Sequence, residues 1–524
     1  MGIGYIRSDL VTLSQIHGDK CWPTVDKVSP CEEVCPIHMD IPSYIMALAQ
    51  GQFKEAIDVV RETNPFPSIC GRVCHHPCEE ACNRSLVDGP IAIEFLKRFV
   101  GEYEKATNGV PEPAKRTKEE RVAVIGSGPA GLTAAYDLVK EGYGVCVYEA
   151  LPVAGGMLAA GIPEFVLPMK TVKAEVDYIK AVGVDIKTNI RIGQDLTIEE
   201  LQNQGFKAIL LATGAWKSAQ LQIPGVELKG VTQALDLLRD AKLGEKIILK
   251  GRVIVIGGGN VAVDTARTAV RLGAEKVILT CLESRAEMPA FEWEIETAEK
   301  EGVEILPSLA PQQINSRPVN KVGSIDFKKV ASVSTDSDGR FSWTLEKGSD
   351  SDVTLEAGTV IVAIGQVPDP SFAEKVSAGG SGSFEVDPDT LATSIPGIFA
   401  AGDSVKAPGT VVESIGAGHV AARSIDRYLK GEDMKADLPN EEVEVLTIEE
   451  EEIPAFMAKK ERWDMPSLSP KDSVRSFGEM NLGYTEWQVR EEAMRCLNCR
   501  MCGNCLFGRG QICFETSTRL LKKV

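Results

Sequence analysis

Histidine is scarce, five in 524 residues, and none of the five, the pair His75 and His76 included, stands in an acid–base constellation. No catalytic side chain is nominated, and packing or surface roles are expected for these rings. Long apolar runs are missing too: none approaches the ~18 residues needed to span a bilayer. The opening MGIGYIRSDL lacks the basic segment and apolar stretch of a secretory signal. The expectation is a cytoplasmic protein without a membrane span. Positive charge is in deficit, 57 Lys and Arg against 75 Asp and Glu for a net charge of -18, and no basic patch relieves it, so a nucleic-acid partner is excluded. Nucleophile and kinase signatures are absent. Between Cys82 and Cys496 only the solitary Cys146 and Cys281 occur, so the middle of the chain has no C-x2-C pair for dithiol chemistry.

What is present is an ordinary globular composition, 44% hydrophobic and 25% charged, in a chain too long for a single core. Residues 1–110 alternate helical patterns such as YIMALAQGQFKEAIDVVRE with cysteine-dense loops, and a charged linker follows. From Arg121 the pattern becomes βαβ: RVAVIG, a helix, then VCVYE; it returns as RVIVIGGGN, a helix and KVILT. The expected fold class is α/β. Two Rossmann-like dinucleotide-binding domains, one inserted in the other, are joined to a helical N-terminal Fe–S domain and a C-terminal Cys-rich Fe–S tail. The expected divisions are 1–110; 121–235 with 366–432; 236–365; an acidic linker 433–480 containing the run Glu449 to Glu452; and the tail 481–524.

Gly126, Gly128 and Gly131 form G-x-G-x-x-G between a strand and a helix, with Glu149 eighteen residues beyond the last glycine. The first glycine permits the tight turn and the second lets the backbone approach a pyrophosphate; the third lets helix pack on strand, and the acid accepts hydrogen bonds from a ribose. Gly257, Gly258, Gly259, Asn260 and Ala262 repeat the motif with alanine in third place. Two such sites without a phosphoryl-transfer signature point to a pair of redox cofactors.

The remaining twelve of the fourteen cysteines crowd the two ends, which favours Fe–S or zinc ligation over disulfides. Cys35 is followed by proline, and Cys70, Cys74, Cys78 and Cys82 recur every four residues. Closely spaced thiolates of this kind suit cubanes.

Many short matches in one order, across about residues 28–430, carry a family resemblance: PC-x3-CP, NP-x-P-x-x-CGRVC, GSGPAGL, GGML-x-x-GIP, ATGAW, GGGNVAVDTART, R-x-EMPA, AAGD and TVVE-x-I. The chain resembles the glutamate synthase small-subunit family, which includes the flavin-containing part of dihydropyrimidine dehydrogenase. The resemblance implies FAD on the first unit, at Gly126, Gly128, Ala130, Gly131, Glu149, Gly156, Leu158, Gly402, Asp403, Thr410 and Val411. It implies NAD(H) on the inserted unit, at Gly257, Gly258, Gly259, Asn260, Val261, Asp264, Glu283, Ser284, Arg285 and Gly365. It also implies [4Fe–4S] clusters, two to three in all. Cys31 and Cys82 match one cluster, Cys35, Cys74 and Cys78 the other, and Cys70 matches a cysteine that is not normally a ligand.

Two departures matter. The family's C-x-x-C ahead of Cys31 is missing, with only Cys21 left there, and Lys97 stands where relatives carry a Gln or Glu ligand; Glu94, one turn earlier, is an alternative donor. The tail supplies C-x2-C-x2-C-x2-C at Cys496, Cys499, Cys502 and Cys505, with Cys513 beyond. Two expectations follow: a separate tail cluster, which leads, or a fold-back of Cys496 and Cys499 that completes the site of Cys31 and Cys82.

The expected activity is an NAD(P)H-dependent oxidoreductase passing electrons through FAD and clusters to a redox partner subunit or ferredoxin-like protein within a hetero-oligomeric complex. Reversed or bifurcating flow is compatible with it. A disulfide reductase of the thioredoxin-reductase type and a non-enzymatic scaffold are the rivals. NADH is expected over NADPH, because Cys281, Leu282 and Glu283 stand where NADPH-using relatives carry a Tyr-Arg-Arg-like sequence, and Glu283 lies twenty-one residues beyond Ala262. The alternative leaves Arg285 holding a 2′-phosphate.

Overall fold

The computed structural model describes residues 27–499 apart from 108, 319, 337–340, 349–350, 381, 407–408, 437–443, 446 and 448–458. Cys21, Cys502, Cys505, Cys513 and the acidic run 449–452 lie outside the described residues.

The N-terminal domain is built on helices α1 (Ile41–Ala49), α2 (Phe53–Thr63), α3 (Pro67–Val73) and α4 (Ile93–Ala106). α1 starts where Asp40 accepts a hydrogen bond from Ser43 N, with Pro42 in the first turn. α3 and α4 cross so closely that a Cβ on Gly71 would lie 2.3 Å from Arg98 Cα. That crossing sets Cys70 of α3, and Cys74 at its end, against Lys97 of α4.

The next unit is a doubly wound parallel sheet. Strand β1 (Arg121–Ile125) runs into helix α5 (Pro129–Lys140), followed by β2 (Gly144–Tyr148), β3 (Asp185–Lys187) and β4 (Phe206–Leu211). Four consecutive residues of β1, Val122 to Ile125, are buried, as a strand covered by helices on both faces requires. After β4 a short strand β5 (Lys217–Ser218) leads to the inserted unit. It holds β6 (Val231–Gln233), β7 (Arg252–Ile256), α6 (Asn260–Arg271), β8 (Lys276–Thr280), α7 (Glu292–Lys300) and β9 (Glu304–Leu306). Four antiparallel strands within residues 309–356 come next, and β14 (Thr359–Val362) closes the second parallel sheet; these four are β10 (Leu309–Arg317), β11 (Lys321–Thr335), β12 (Phe341–Leu345) and β13 (Asp352–Glu356). The chain returns through β15 (Gln366–Val367) and β16 (Ile398–Ala400) to the long helix α8 (Val411–Lys430). The strand orders are β16-β4-β1-β2-β3 in the first parallel sheet and β9-β8-β7-β14-β6 in the second.

Three features differ from the sequence-based expectation. β6, expected before the boundary at 235, pairs with β14 in the second sheet, whereas β5 and β15 pair with each other as an antiparallel ribbon. The two crossings between the units therefore lie near 217–218 and 366–367, because strand pairing sets the boundary. The antiparallel insert was not anticipated; its long strands mix exposed and buried positions. Residues 459–480 were expected as linker, yet they pack. Trp463 N donates to Glu492, Ser473 Oγ receives Arg271 at 2.7 Å, and Met480 N donates to Phe165 O. With helix α9 (Glu486–Ala493) this C-terminal strap crosses all three units. Its docking rests on arginines of other segments. Arg72 and Arg98 both reach Glu479 at 2.8 Å, while Arg267, almost fully buried, grips Glu294 and Glu301 beside Met480.

Candidate functional site

The first glycine loop is an open cradle. Gly126 adopts φ +102°, and a Cβ there would lie 2.3 Å from Ala212 O, so the tight turn requires glycine. A Cβ on Gly128 would meet nothing within 4 Å, which leaves its face free for a phosphate at the start of α5. Gly131 lies against Gly126 O, where a Cβ would stand 2.2 Å away, and Ala130 is buried. Glu149 follows β2 and is buried. Its carboxylate accepts from Ser127 N at 3.1 Å, Ser127 Oγ at 2.5 Å and Leu151 N at 2.7 Å. A carboxylate has about four lone-pair positions, so one is left for a ribose hydroxyl.

Around this cradle, Gly156 and the buried Leu158 press in: a Cβ on Gly156 would be 2.7 Å from Gly128 Cα. Gly402 meets Ala130. Asp403 accepts from Gly409 N at 3.2 Å; burial pushes its carboxyl up to about 6, that hydrogen bond opposes the rise and Glu413 adds to it. Thr410 caps α8 in a reciprocal box with Glu413, so Val411 opens a 20-residue helix whose N-terminal dipole faces outward from the cap. The residues proposed from sequence for FAD are thus gathered around the open face of Gly128.

The second loop repeats the geometry. Gly257 has φ +145° with Ala363 O 2.2 Å from a Cβ, and Gly259 is open. Asn260 opens α6 and accepts from Phe291 N at 2.9 Å; Val261 is the next residue of the helix. A Cβ on Gly258 would lie 2.9 Å from Glu283 Oε2, which puts this carboxylate beside the glycine loop as Glu149 is in the first unit. Ser284 is bound up in a capping box with Glu287, and Arg285 makes a bidentate pair with Glu292 at 2.8 Å and reaches Glu299 at 3.3 Å. Burial first, then Glu294 and Glu301, push the Asp264 carboxyl up, against the pull of Arg267 and Arg271. Gly365 sits at the crossing between the units and accepts from Ala219 N.

The cysteines form two groups. Cys31, Cys82, Cys496 and Cys499 line one cavity, together with apolar residues that include Ile41, Ile45 and Ile93. Burial pushes the Cys31 thiol up; the bond to Ser29 opposes this, and the other three thiols of the group add to it. Cys35, Cys70, Cys74 and Cys78 surround the buried ammonium of Lys97. Glu94 turns instead to His76, 3.2 Å away. Among the described residues no three His, Cys, Asp or Glu side chains converge on a single metal ion. A cubane makes no such demand, because each thiolate takes its own iron, and four part-buried thiols around a cavity match that arrangement better than zinc.

The solitary cysteines belong to different sheets. Cys146 lies in β2 beside Asp185, and Cys281 follows β8, its thiol pushed up to about 12 by burial and by Glu283. They cannot form a redox dithiol. Two contacts were missed from sequence. His75 stacks on Phe291 and His76 packs at a tilt on Trp293, both of the inserted unit, and His419 bridges Asp137 and Thr63 O. A regular signal for the aromatic contact was absent, since its partners are more than two hundred residues apart.

Residues 120–418 match the family model for pyridine nucleotide-disulphide oxidoreductases, and residues 17–109 match that for dihydropyrimidine dehydrogenase domain II, 4Fe-4S cluster. The chain is 38% identical, over 91% of its length and 71% of the relative, to the NADP(+)-dependent formate dehydrogenase subunit beta of Moorella thermoacetica. It is 34% identical, over 77% of its length and 92% of the relative, to the NAD-dependent dihydropyrimidine dehydrogenase subunit PreT of Escherichia coli. Mycobacterium tuberculosis FprA in complex with NADPH shares the fold, with a TM-score of 0.51 at 17% identity over 60% of this chain and 85% of that one. The chain belongs to the pyridine nucleotide-disulphide oxidoreductase family, as an FAD- and NAD(P)-dependent oxidoreductase with a 4Fe–4S domain of the dihydropyrimidine dehydrogenase type.

Proposed function

We propose that the chain is the electron-input subunit of a larger redox enzyme, one that reads NADH in preference to NADPH and delivers electrons through its cysteine-bound clusters to a partner subunit or a ferredoxin-like protein. Bound FAD would supply the means to exchange a hydride pair with a nicotinamide for single electrons passed to iron–sulfur clusters. The protein's part is placement. Gly126 and Gly128 seat one dinucleotide, Gly257 and Gly259 the other, and Asp403 and the start of α8 border the first cradle.

One contact carries the electron-transfer reading. A Cβ on Gly416 of α8 would lie 2.6 Å from Pro36 O, so the helix that borders the FAD cradle rests directly on the loop bearing Cys35. His75, between Cys74 and Cys78, faces Glu413 of the same helix. The thiol group around Lys97 therefore lies next to the helix that borders the first cradle, which supports electron exchange between that cradle and the cysteines. The names of the relatives, one a beta subunit and one the subunit PreT, support a partner chain.

Nucleotide choice rests on Glu283. Its carboxylate beside Gly258 suits a free 2′-hydroxyl and repels a 2′-phosphate, while Arg285, two residues further on, is already engaged by Glu292 and Glu299. Anaerobic stopped-flow reduction by each nucleotide tests the proposal. NADH should bleach the flavin and then the cluster absorbance, with kcat/KM ~100-fold or more above that for NADPH. Equal use of both would overturn the nucleotide assignment, and a bleached flavin with unreduced clusters would overturn the electron route.

A further inference from the structure

The N-terminal domain alone does not complete its outer cluster site. Cys31 and Cys82 face a cavity from that domain, and the other two thiols on the same cavity, Cys496 and Cys499, come from the opposite end of the chain. Within the first thirty residues the only other cysteine is Cys21.

The strap that brings the second pair is held as firmly as a core element. Arg495, immediately before Cys496, is 2% exposed; it donates to Asp88 at 2.9 Å, to Gly89 O at 2.7 Å and to Glu492 at 2.6 Å. Glu492, fully buried, accepts in turn from Ala92 N at 2.9 Å. Arg84 donates to Arg495 O at 3.0 Å. Glu492 apart, these partners belong to residues 84–92, the segment that follows Cys82, so one hydrogen-bonded network fixes the Cys82 side of the cavity and the Cys496 side together. Breaking such a buried charged network by removing one partner is strongly destabilising, and the register of the tail is thereby set.

Donors also reach the sulfurs. Asn83 Nδ2 donates to Cys499 Sγ at 3.4 Å, Asn498 N to Cys496 Sγ at 3.4 Å, and Ser29 Oγ lies 3.2 Å from Cys31 Sγ. N–H···S bonds to ligating sulfurs orient them and stabilise their negative charge. Apart from Asn83 and Arg84 the rest of the cavity wall is apolar, with isoleucines and prolines, which limits the access of water to a cluster.

We propose that Cys31, Cys82, Cys496 and Cys499 ligate one [4Fe–4S] cluster, so that the two ends of the chain are tied through it. This rests on the iron–sulfur reading of the chain and adds its ligand set. It replaces a tail cluster made by Cys496 and Cys499 with Cys502 and Cys505. It further means that the cluster can be inserted only after the C-terminal strap has docked.

Six full-length variants, each with one cysteine changed to serine at 31, 82, 496, 499, 502 or 505, separate the two arrangements. Iron per chain and the EPR spectrum of the dithionite-reduced protein are read under anaerobic conditions, with bound FAD as the control for folding. The changes at 31, 82, 496 and 499 should each abolish the same EPR signal and remove about four irons, whereas those at 502 and 505 should leave that signal in place. Loss of one signal in Cys31→Ser and Cys82→Ser but a different one in Cys496→Ser and Cys499→Ser would overturn the proposal, as would equal loss in Cys502→Ser and Cys505→Ser. Should the ligand variants fail to retain FAD, dibromobimane cross-linking of iron-depleted wild-type protein decides. A Cys82–Cys499 or Cys31–Cys496 link is expected, and links confined to residues 496–505 would refute the site. Wild-type protein that holds FAD but no iron would instead sink the iron–sulfur reading itself.

Discussion

The two glycine loops are built alike at their first and second glycines and differ where the acid is held. In the first unit Ser127 offers a backbone N–H and a hydroxyl, and with Leu151 N they clamp Glu149 in place before any ligand arrives. In the second unit the equivalent position is Gly258, which has no side chain, and Glu283 lies half-buried against its backbone and the Cys281 thiol. A preorganised acceptor costs little to use and suits a resident cofactor; a looser one suits a nucleotide that must leave after each turnover. The first cradle is also walled by Gly156, Leu158, Gly402 and the cap of α8, segments from across the chain, whereas the described wall of the second comes mainly from its own βαβ unit.

The largest break in this comparison comes from the second glycines. Gly128→Val should fold, since its Cβ meets no protein atom within 4 Å, yet lose FAD entirely; Gly259→Val should keep FAD while NADH no longer reduces it. Flavin absorbance and anaerobic NADH titration read both. Gly126→Ala is the contrasting control: a Cβ 2.3 Å from Ala212 O at positive φ must distort the turn, so the apoprotein itself should melt lower.

Charge sharpens the contrast with pH. Asp403 in the FAD unit is raised from 3.8 to about 6, burial outweighing the Gly409 hydrogen bond. Between those values the folded apoprotein holds a proton that the unfolded chain has released, so stability falls as pH rises, by about 3 kcal/mol for a shift of this size. Glu301 in the inserted unit is the reverse. Burial opposes its ionisation, but hydrogen bonds from Arg271 and Arg267 hold it at about 2. Its contribution is present above the unfolded value of 4.5 and is lost as pH falls toward 2. In urea unfolding of FAD-free protein, Asp403→Asn should gain on wild type from pH 4 to 7, and Glu301→Gln should be weaker than wild type at pH 6 but converge with it near pH 2. Parallel curves for either pair would break the assignment.

The smallest expected effect concerns nucleotide choice. Glu283→Arg should narrow or reverse a preference of ~100-fold for NADH, about 2.7 kcal/mol, with FAD content and stability unchanged. Glu149→Gln should leave that preference alone and weaken FAD retention instead. A variant at Glu283 that loses FAD, or one at Glu149 that alters the NADH to NADPH ratio in kcat/KM, would show that the two acids are not confined to their own units.

Much of both cradles was legible in the residue order, because a glycine loop is a local device: three small residues within six positions, a strand before and a helix after. Gly126, Gly128, Gly257 and Gly259 are where that logic puts them. Glu283 was also legible, through its offset from Ala262. The surroundings of Asp264 were not; one turn into α6, its carboxyl is pushed up by burial and by Glu294 and Glu301, charges that reach it from α7 and the turn after it. The sheet membership of Val231–Gln233 was illegible for a similar reason, since three residues carry no mark of which sheet edge they will join. Likewise the stretch 459–480 reads as polar linker, and it packs because Arg72, Arg98 and Arg271 on other elements hold partners for it.

The sequence by itself determined the local devices: which glycines make the tight turns of the two loops, which acids stand at the expected offset from them, and that thiols crowd both ends of the chain. These depend on covalent geometry and short spacing, which travel with the residue order. Tertiary structure alone decided which thiols share a cavity, that Lys97 rather than Glu94 stands among Cys35, Cys74 and Cys78, and that Arg285 is spoken for by Glu292 and Glu299. Each of these is a competition between partners distant in sequence, settled by burial and charge once the helices and sheets have packed.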